Sequence, residues 1–282
     1  MFLSAYSLPL VAAFAMAAYA SPGRACSDFY KTLPNVSQSL CLDAQLKPSG
    51  ARSVQGRALL VRDIAPDPSR VRVLMVAAMH GDELSSASLA LHWLRLAQLN
   101  PEGIHWRFIP VLNPDGLLRA NPWRMNARGV DLNRNFPTPN WLRETKIYWE
   151  KRTSKDPRRW PGRAPLSEPE ANYLFNEMSR FKPDVIVSIH APYGVLDFDG
   201  PVMAPTHLGR LYLDQVGVFP GSLGNYGGIH RRMPVVTVEL PSALRTPTDA
   251  EMLKMWRDLL AWTDRTIKPK EVKFNYSAAN VP

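Results

Sequence analysis

The segment His80-Gly-Asp-Glu83 sets an imidazole and a carboxylate three residues apart, and both groups can bind a divalent metal. On its own the pair carries little. With 6 His and 25 acidic residues in 282 positions, roughly half such a match arises by chance, and a lone His at a strand end is more often a hydrogen-bonded structural residue. His190, which closes a separate apolar run, changes the odds, because catalytic zinc takes three protein ligands and keeps a fourth position open. A bound zinc ion would polarise a scissile carbonyl and lower the pKa of its water from ~15.7 to about 7. A base must then take the proton. Glu239, an acid inside the apolar run Val235-Val-Thr-Val-Glu-Leu240, is the candidate. An unpaired carboxylate would be costly to bury there, and a buried ion pair with an Arg is the alternative reading.

These residues need elements to hold them. Residues 71–79 form a short apolar run that predicts a buried strand stopping at His80 and Gly81. Leu84, Ala87, Leu91, Leu94 and Leu96 recur near helical spacing and predict a helix over 83–99. A second strand over 106–112 is expected to end at the turn chemistry of Asn113-Pro-Asp-Gly116. The stretch 121–165 is irregular and rich in Pro, Arg and Trp, and unpatterned segments of that length inside a compact domain are usually functional. Ser167-Glu-Pro-Glu170 reads as a capping box opening a helix to about Phe181, and Thr248-Asp-Ala-Glu251 as one opening a helix to about Thr266. Strands are predicted over 184–190 and 234–240. This alternation predicts a single α/β domain whose mixed, mostly parallel twisted sheet carries helices on both faces. Sites in such folds form beyond the carboxyl ends of strands, where His80, His190 and Glu239 fall.

Longer blocks extend the pattern. His80-Gly-Asp-Glu-Leu-Ser-Ser86, Asn113-Pro-Asp-Gly116, Arg124-x-Asn126, Gly129-Val-Asp-Leu-Asn-Arg-Asn-Phe-Pro137, Ser167-Glu-Pro-Glu170, His190 and Thr237-Val-Glu-Leu-Pro241 together resemble the zinc carboxypeptidase family, in its order, across about residues 71–242. Pro220-Gly-Ser-x-Gly224 is similar to the bacterial murein peptide amidases within it. The resemblance implies a zinc-carboxypeptidase-like fold and one zinc ion held by His80, Glu83 and His190, with Glu239 as general acid/base. It implies that Arg124 polarises the scissile carbonyl and that Asn133 and Arg134 grip the substrate's terminal carboxylate. Asp131 falls where the family has a carboxylate supporting a zinc-bound histidine. The amidase subgroup implies cleavage between γ-D-glutamate and meso-diaminopimelate. Digestive members carry a mobile tyrosine roughly twenty residues before the catalytic Glu, but that window here reads Val216-Gly-Val-Phe-Pro220. Tyr226 is nearer and could line the pocket. Asp197 and Asp199, just after His190, are expected to bind the distal amine of diaminopimelate, with ordinary loop acids as the alternative.

The bulk properties fit an exported hydrolase. A 45% hydrophobic content supports a substantial core. The formal charge of +9 favours anionic surroundings, with a merely solvated basic surface as the alternative, and without a basic run interleaved with aromatics the expected partner is a peptide or peptidoglycan fragment, not nucleic acid. Residues 1–20 hold no charged side chain and end in Ala18-Tyr19-Ala20, which reads as a signal peptide, with a short uncleaved anchor as the alternative. No stable membrane insertion is expected once it is removed, and the location is periplasmic or secreted. An oxidising compartment would pair Cys26 with Cys41 in an N-terminal segment over 21–50. The catalytic domain is expected over 51–268 and a flexible tail over 269–282. Two rival readings stand: an acylase of the succinylglutamate desuccinylase/aspartoacylase type, and a non-catalytic wall-binding module.

Overall fold

The computed structural model describes residues 22–267, so the expected signal peptide and C-terminal tail lie outside the described residues. Seven strands form the main sheet: β1 (Lys47–Arg52), β2 (Ala58–Ile64), β3 (Val71–Ala77), β4 (Ile104–Ile109), β5 (Val185–His190), β6 (Leu196–Asp199) and β9 (Val235–Glu239). Their spatial order is β1-β2-β4-β3-β5-β9-β6. The central four, β4, β3, β5 and β9, run parallel, whereas β2 and β6 flank them antiparallel. A small antiparallel pair, β7 (His207–Leu208) and β8 (Leu211–Tyr212), lies apart. The sheet is mixed and mostly parallel, as the alternation predicts.

Strand side chains alternate between two apolar layers. Val73, Met75 and Ala77 of β3 join a cluster with the helices Leu84–Leu99 and Asp249–Thr266, while Leu74 and Val76 face the helix Pro169–Phe181. Such two-sided burial explains why the central strands read as continuous apolar runs. β3 stops at Ala77 because Ala78 turns to φ 42°, which swings the chain out of the sheet just before His80. β4 starts two residues earlier than expected and ends at Ile109, since Pro110 has no N–H to continue the ladder.

One capping box forms and one does not. Thr248 Oγ1 accepts from Glu251 N, and the Glu251 carboxylate accepts from Thr248 N. The Ser167–Glu170 box is not made: the helix starts at Pro169 behind Glu168, with no side-chain cap. Its expected members are engaged elsewhere, Glu170 accepting from Val54 N and Asn126 Nδ2, and Ser167 Oγ donating to Glu168.

The N-terminal segment belongs to the core. Helices Pro22–Thr32 and Gln38–Asp43 are joined by the Cys26–Cys41 disulfide, and Phe29, Leu33 and Leu40 pack into the same cluster as β3. The sheet itself already opens at Lys47, inside the segment 21–50. Closing a loop of 15 residues stabilises by about 3 kcal/mol. The double variant Cys26→Ser/Cys41→Ser should therefore melt roughly 6–12 °C lower. Turnover below the transition should be unchanged, because no described residue of this segment lines the cavity described next; a melting curve that does not move would contradict the assignment of a structural role. No helix among the described residues is long and apolar enough to cross a membrane.

Candidate metal centre and active site

Three segments deliver the polar groups to one edge of the sheet. His80 follows the turn at Ala78, and Glu83 sits at the N-cap of the Leu84–Leu99 helix. Ser86 fastens this turn by donating its hydroxyl to Glu83 O and accepting from Ala78 N. Gly81 is required by packing: a Cβ there would lie 2.3 Å from the backbone carbon of Gly116. His190 ends β5, and the β5–β9 register places it directly beside Glu239. Distant stretches of chain thus meet because two parallel strands end together.

His80, Glu83 and His190 are all buried, and one ligand atom of each lies within 4.8 Å of the others. His80 Nδ1 stands 2.8 Å from Glu83 Oε1, His190 Nδ1 2.9 Å from Glu83 Oε2, and the two Nδ1 atoms 3.2 Å apart. The opposite ring nitrogens are held from behind, His80 Nε2 against Asp131 Oδ1 at 3.0 Å and His190 Nε2 against Ser188 Oγ at 3.0 Å. Asp131 accepts two further bonds from Arg124. Burial would raise the Asp131 pKa, but Arg124 and His80 hold it well below the usual range, so it is the acceptor and His80 Nε2 the donor. Held this way, a neutral His80 keeps its proton on Nε2 and turns the Nδ1 lone pair toward the site, the form that a metal requires. Burial and Arg124 push the His80 pKa down, yet Glu83 and Asp131 outweigh them and raise it; likewise His80 and His190 lower Glu83 against its burial. The centre attracts positive charge. Zinc ligands at ~2.0–2.1 Å in a tetrahedral set stand about 3.3 Å apart, which fits this donor group.

A cavity of about 220 Å³ opens onto these side chains and is also lined by Glu239, Arg124, Asn133, Arg134, Asp197 and Asp199. Glu239 Oε2 is buried without a hydrogen-bond partner among the described residues, and burial, reinforced by Glu83, raises its pKa over the opposing pull of His190 and His80. The Arg134 guanidinium lies between the rings of Tyr148 and Phe219, its centre 5.3 and 4.5 Å from theirs. Its Nη1 donates to Asn133 O, its Nε has no partner among the described residues, and burial lowers its pKa. Asn133 Oδ1 accepts from Leu223 N, which leaves its amide N–H groups as donors.

The model of the family described as zinc carboxypeptidase matches residues 47–197. The chain belongs to this family. It is accordingly a zinc metallopeptidase, a hydrolase. Murein peptide amidase A of Vibrio campbellii is 34% identical over 206 residues, covering 68% of this chain and 78% of the relative. The protein of the same description from Escherichia coli K12 is 31% identical over 230 residues, covering 73% and 88%. Among solved structures, murein-tripeptide amidase MpaA of Escherichia coli O157 aligns with a TM-score of 0.52 at 29% identity over 76% of this chain and 88% of that one. Carboxypeptidase A of Helicoverpa armigera aligns with a TM-score of 0.60 at 19% identity over 80% and 70%, a likeness of fold.

The family blocks outside the cavity hold those that line it. Asn113 Oδ1 accepts from Gly116 N while its Nδ2 donates to Arg124 O, fixing the loop that carries the arginine. Asn126 accepts from Arg128 N and Val130 N and donates to both Glu168 and Glu170. Asn135 Nδ2 ties down Pro161 O and Ala164 O. The stretch expected to be irregular has no strand among the described residues but does hold a short helix, Trp141–Ile147, running on as a π-turn over Tyr148–Arg152, and single turns at Leu132–Arg134 and Pro157–Arg159; the asparagine bonds pin the loops between them.

One expected pocket residue lies elsewhere. Tyr226 is buried on the far side, its ring against Phe136 and Phe175 and its hydroxyl accepting from Arg231, because the π-turn Gly224–His230 rotates it toward the Pro169–Phe181 helix. Tyr193, three residues after His190, lines the cavity instead and is 55% exposed. Ser188 and Arg159 were also missed; only the period-two spacing from His190 could have singled out Ser188.

Proposed function

We propose that this chain is a zinc exopeptidase of murein peptides that hydrolyses the γ-D-glutamyl-meso-diaminopimelate bond in the periplasm or outside the cell, with one zinc ion held by His80, Glu83 and His190. The observation that carries it is the meeting, in one cavity, of that donor set, an unpartnered Glu239 Oε2 and a buried guanidinium at Arg134. When bound, the zinc ion supplies a Lewis acid at the scissile carbonyl and acidifies the attacking water. Arg134 and the Asn133 amide grip the terminal carboxylate and so set which amide reaches the centre. Arg124, whose Nε and Nη2 are committed to Asp131, turns Nη1 toward the site, where it stabilises the negative charge growing on the carbonyl oxygen. Glu239 Oε2 takes the water's proton and returns it to the leaving amine; its raised pKa makes it a stronger base than a solvated carboxylate.

Asp197 and Asp199 lie on β6 and face the cavity, each 8% exposed. Asp197 Oδ1 accepts from Phe198 N, whereas the Asp199 carboxylate has no hydrogen bond among the described residues, and burial, with Asp197 beside it, pushes its pKa up to about 6. Gly224 makes room for it, since a Cβ there would meet Asp199 Oδ2 at 2.0 Å. An ammonium on the leaving residue would satisfy this carboxylate. Asp199→Asn should lower kcat/KM for a diaminopimelate-terminated peptide about 10- to 100-fold, the worth of a hydrogen bond to a charged group, and leave an alanine-terminated peptide unaffected. Equal losses on both would remove the assignment.

The test of the reaction is product mass after incubation with γ-glutamyl-diaminopimelate peptides, their C-terminal amides and acyl-amino acids. Release of the last residue from free acids alone supports the reading. Internal cleavage, or action on acyl-amino acids only, refutes it.

A further inference from the structure

Arg159 has no task in that reaction. Between positions 143 and 163 the chain carries eight basic and three acidic residues, more than half of its formal excess of +9. Most of these side chains are exposed, but the turn Pro157–Arg159 is fixed against the active site. Asp156 Oδ1 accepts from Arg158 N, and Asp156 O accepts from Trp149 Nε1 and Arg159 N. One residue on, Trp160 O accepts from the backbone N–H of Asp131, the residue that holds His80. Arg158 is spent on Asp82 at 2.8 Å. Arg159 is half-buried and has no ion pair or side-chain hydrogen bond among the described residues. It lines the catalytic cavity and also a neighbouring one of about 470 Å³, whose walls include Arg152, Tyr193 and Phe219. Among the described residues Asp156 is the single acid lining that second cavity, and its carboxylate already caps the turn.

We propose that Arg159, with Arg152 beside it, binds a second carboxylate of the substrate, distinct from the terminal one held by Arg134. A guanidinium presents a planar fork matched to a carboxylate, and one that is half-buried and unpaired gains most from such a partner. The proposal rests on the exopeptidase reading and adds a charge requirement to it. Two parts of a substrate carry such a group: an acyl residue linked through its side-chain carboxyl, whose α-carboxylate stays free, and a leaving residue with a second carboxylate of its own.

The test compares wild type with Arg159→Met and Arg159→Lys on three peptides: one bearing both extra carboxylates, one with the acyl-side carboxylate converted to an amide, and one with the leaving-side carboxylate converted. Arg159→Met should raise KM for the first peptide about tenfold with kcat little changed, and Arg159→Lys should recover part of the loss. The deficit should vanish on whichever amidated peptide lacks the group that Arg159 holds. The same peptides titrated calorimetrically into zinc-loaded Glu239→Gln protein, with and without Arg159→Met, report the contact without turnover, so failure of the proposed reaction and failure of this contact are told apart. A deficit equal on all three peptides, or none on any, overturns the proposal.

Discussion

Glu239→Gln should fold, hold zinc and bind peptide as the parent does, yet turn over at least about 100-fold more slowly, the lower bound for losing a positioned general base. Gln matches Glu in shape and keeps the β5–β9 register that sets position 239 beside His190. What it lacks is a carboxylate oxygen able to take a proton where Oε2 now stands buried and unpartnered. Burial makes the charged side chain expensive, so the neutral one should not lower stability. A variant that retains turnover would show that Glu239 is a structural acid. One that loses zinc as well would show that position 239 supports the metal ligands instead.

Arg134→Met should lower kcat/KM by about 30-fold or more on peptides with a free C-terminus, since stripping one partner from a buried charge pair costs about 2–5 kcal/mol. Methionine keeps the apolar stem between Tyr148 and Phe219, so the pocket wall should survive. The diagnostic is selectivity. C-terminally amidated peptides should be poor for wild type and variant alike, and the two enzymes should converge on them. A loss of equal size on free and amidated peptides would mean that Arg134 shapes the wall without meeting the carboxylate.

The candidate metal donors were legible in the chain because each follows or closes an apolar strand or opens a helix, where a charged or imidazole side chain has few other reasons to stand. The nine-residue block ending at Pro137 then pointed to Asp131, Asn133 and Arg134, and the structure sets Asn133 and Arg134 in the cavity wall and Asp131 behind His80. Other features could not be read. That β5 and β9 are neighbours, and so that His190 meets Glu239, is a property of sheet order. β6 escaped notice because its alternation, Leu-Asp-Phe-Asp, is only four residues long and Asp is disfavoured in strands. The Ser167–Glu170 block has the residue types of a cap, but its carboxylates reach Val54 and Asn126, partners that no local pattern announces. Tyr226 was misplaced because a π-turn alters the direction a side chain takes from its position in sequence. Arg159 was hidden among basic residues that face solvent.

Metal titration bears most directly on the central claim. Protein stripped with a chelator and resupplied with zinc should recover hydrolysis in proportion to the metal added, saturating at one equivalent per chain, and His80→Ala should abolish that recovery. Full hydrolysis by the stripped protein, or undiminished recovery by His80→Ala, would contradict it.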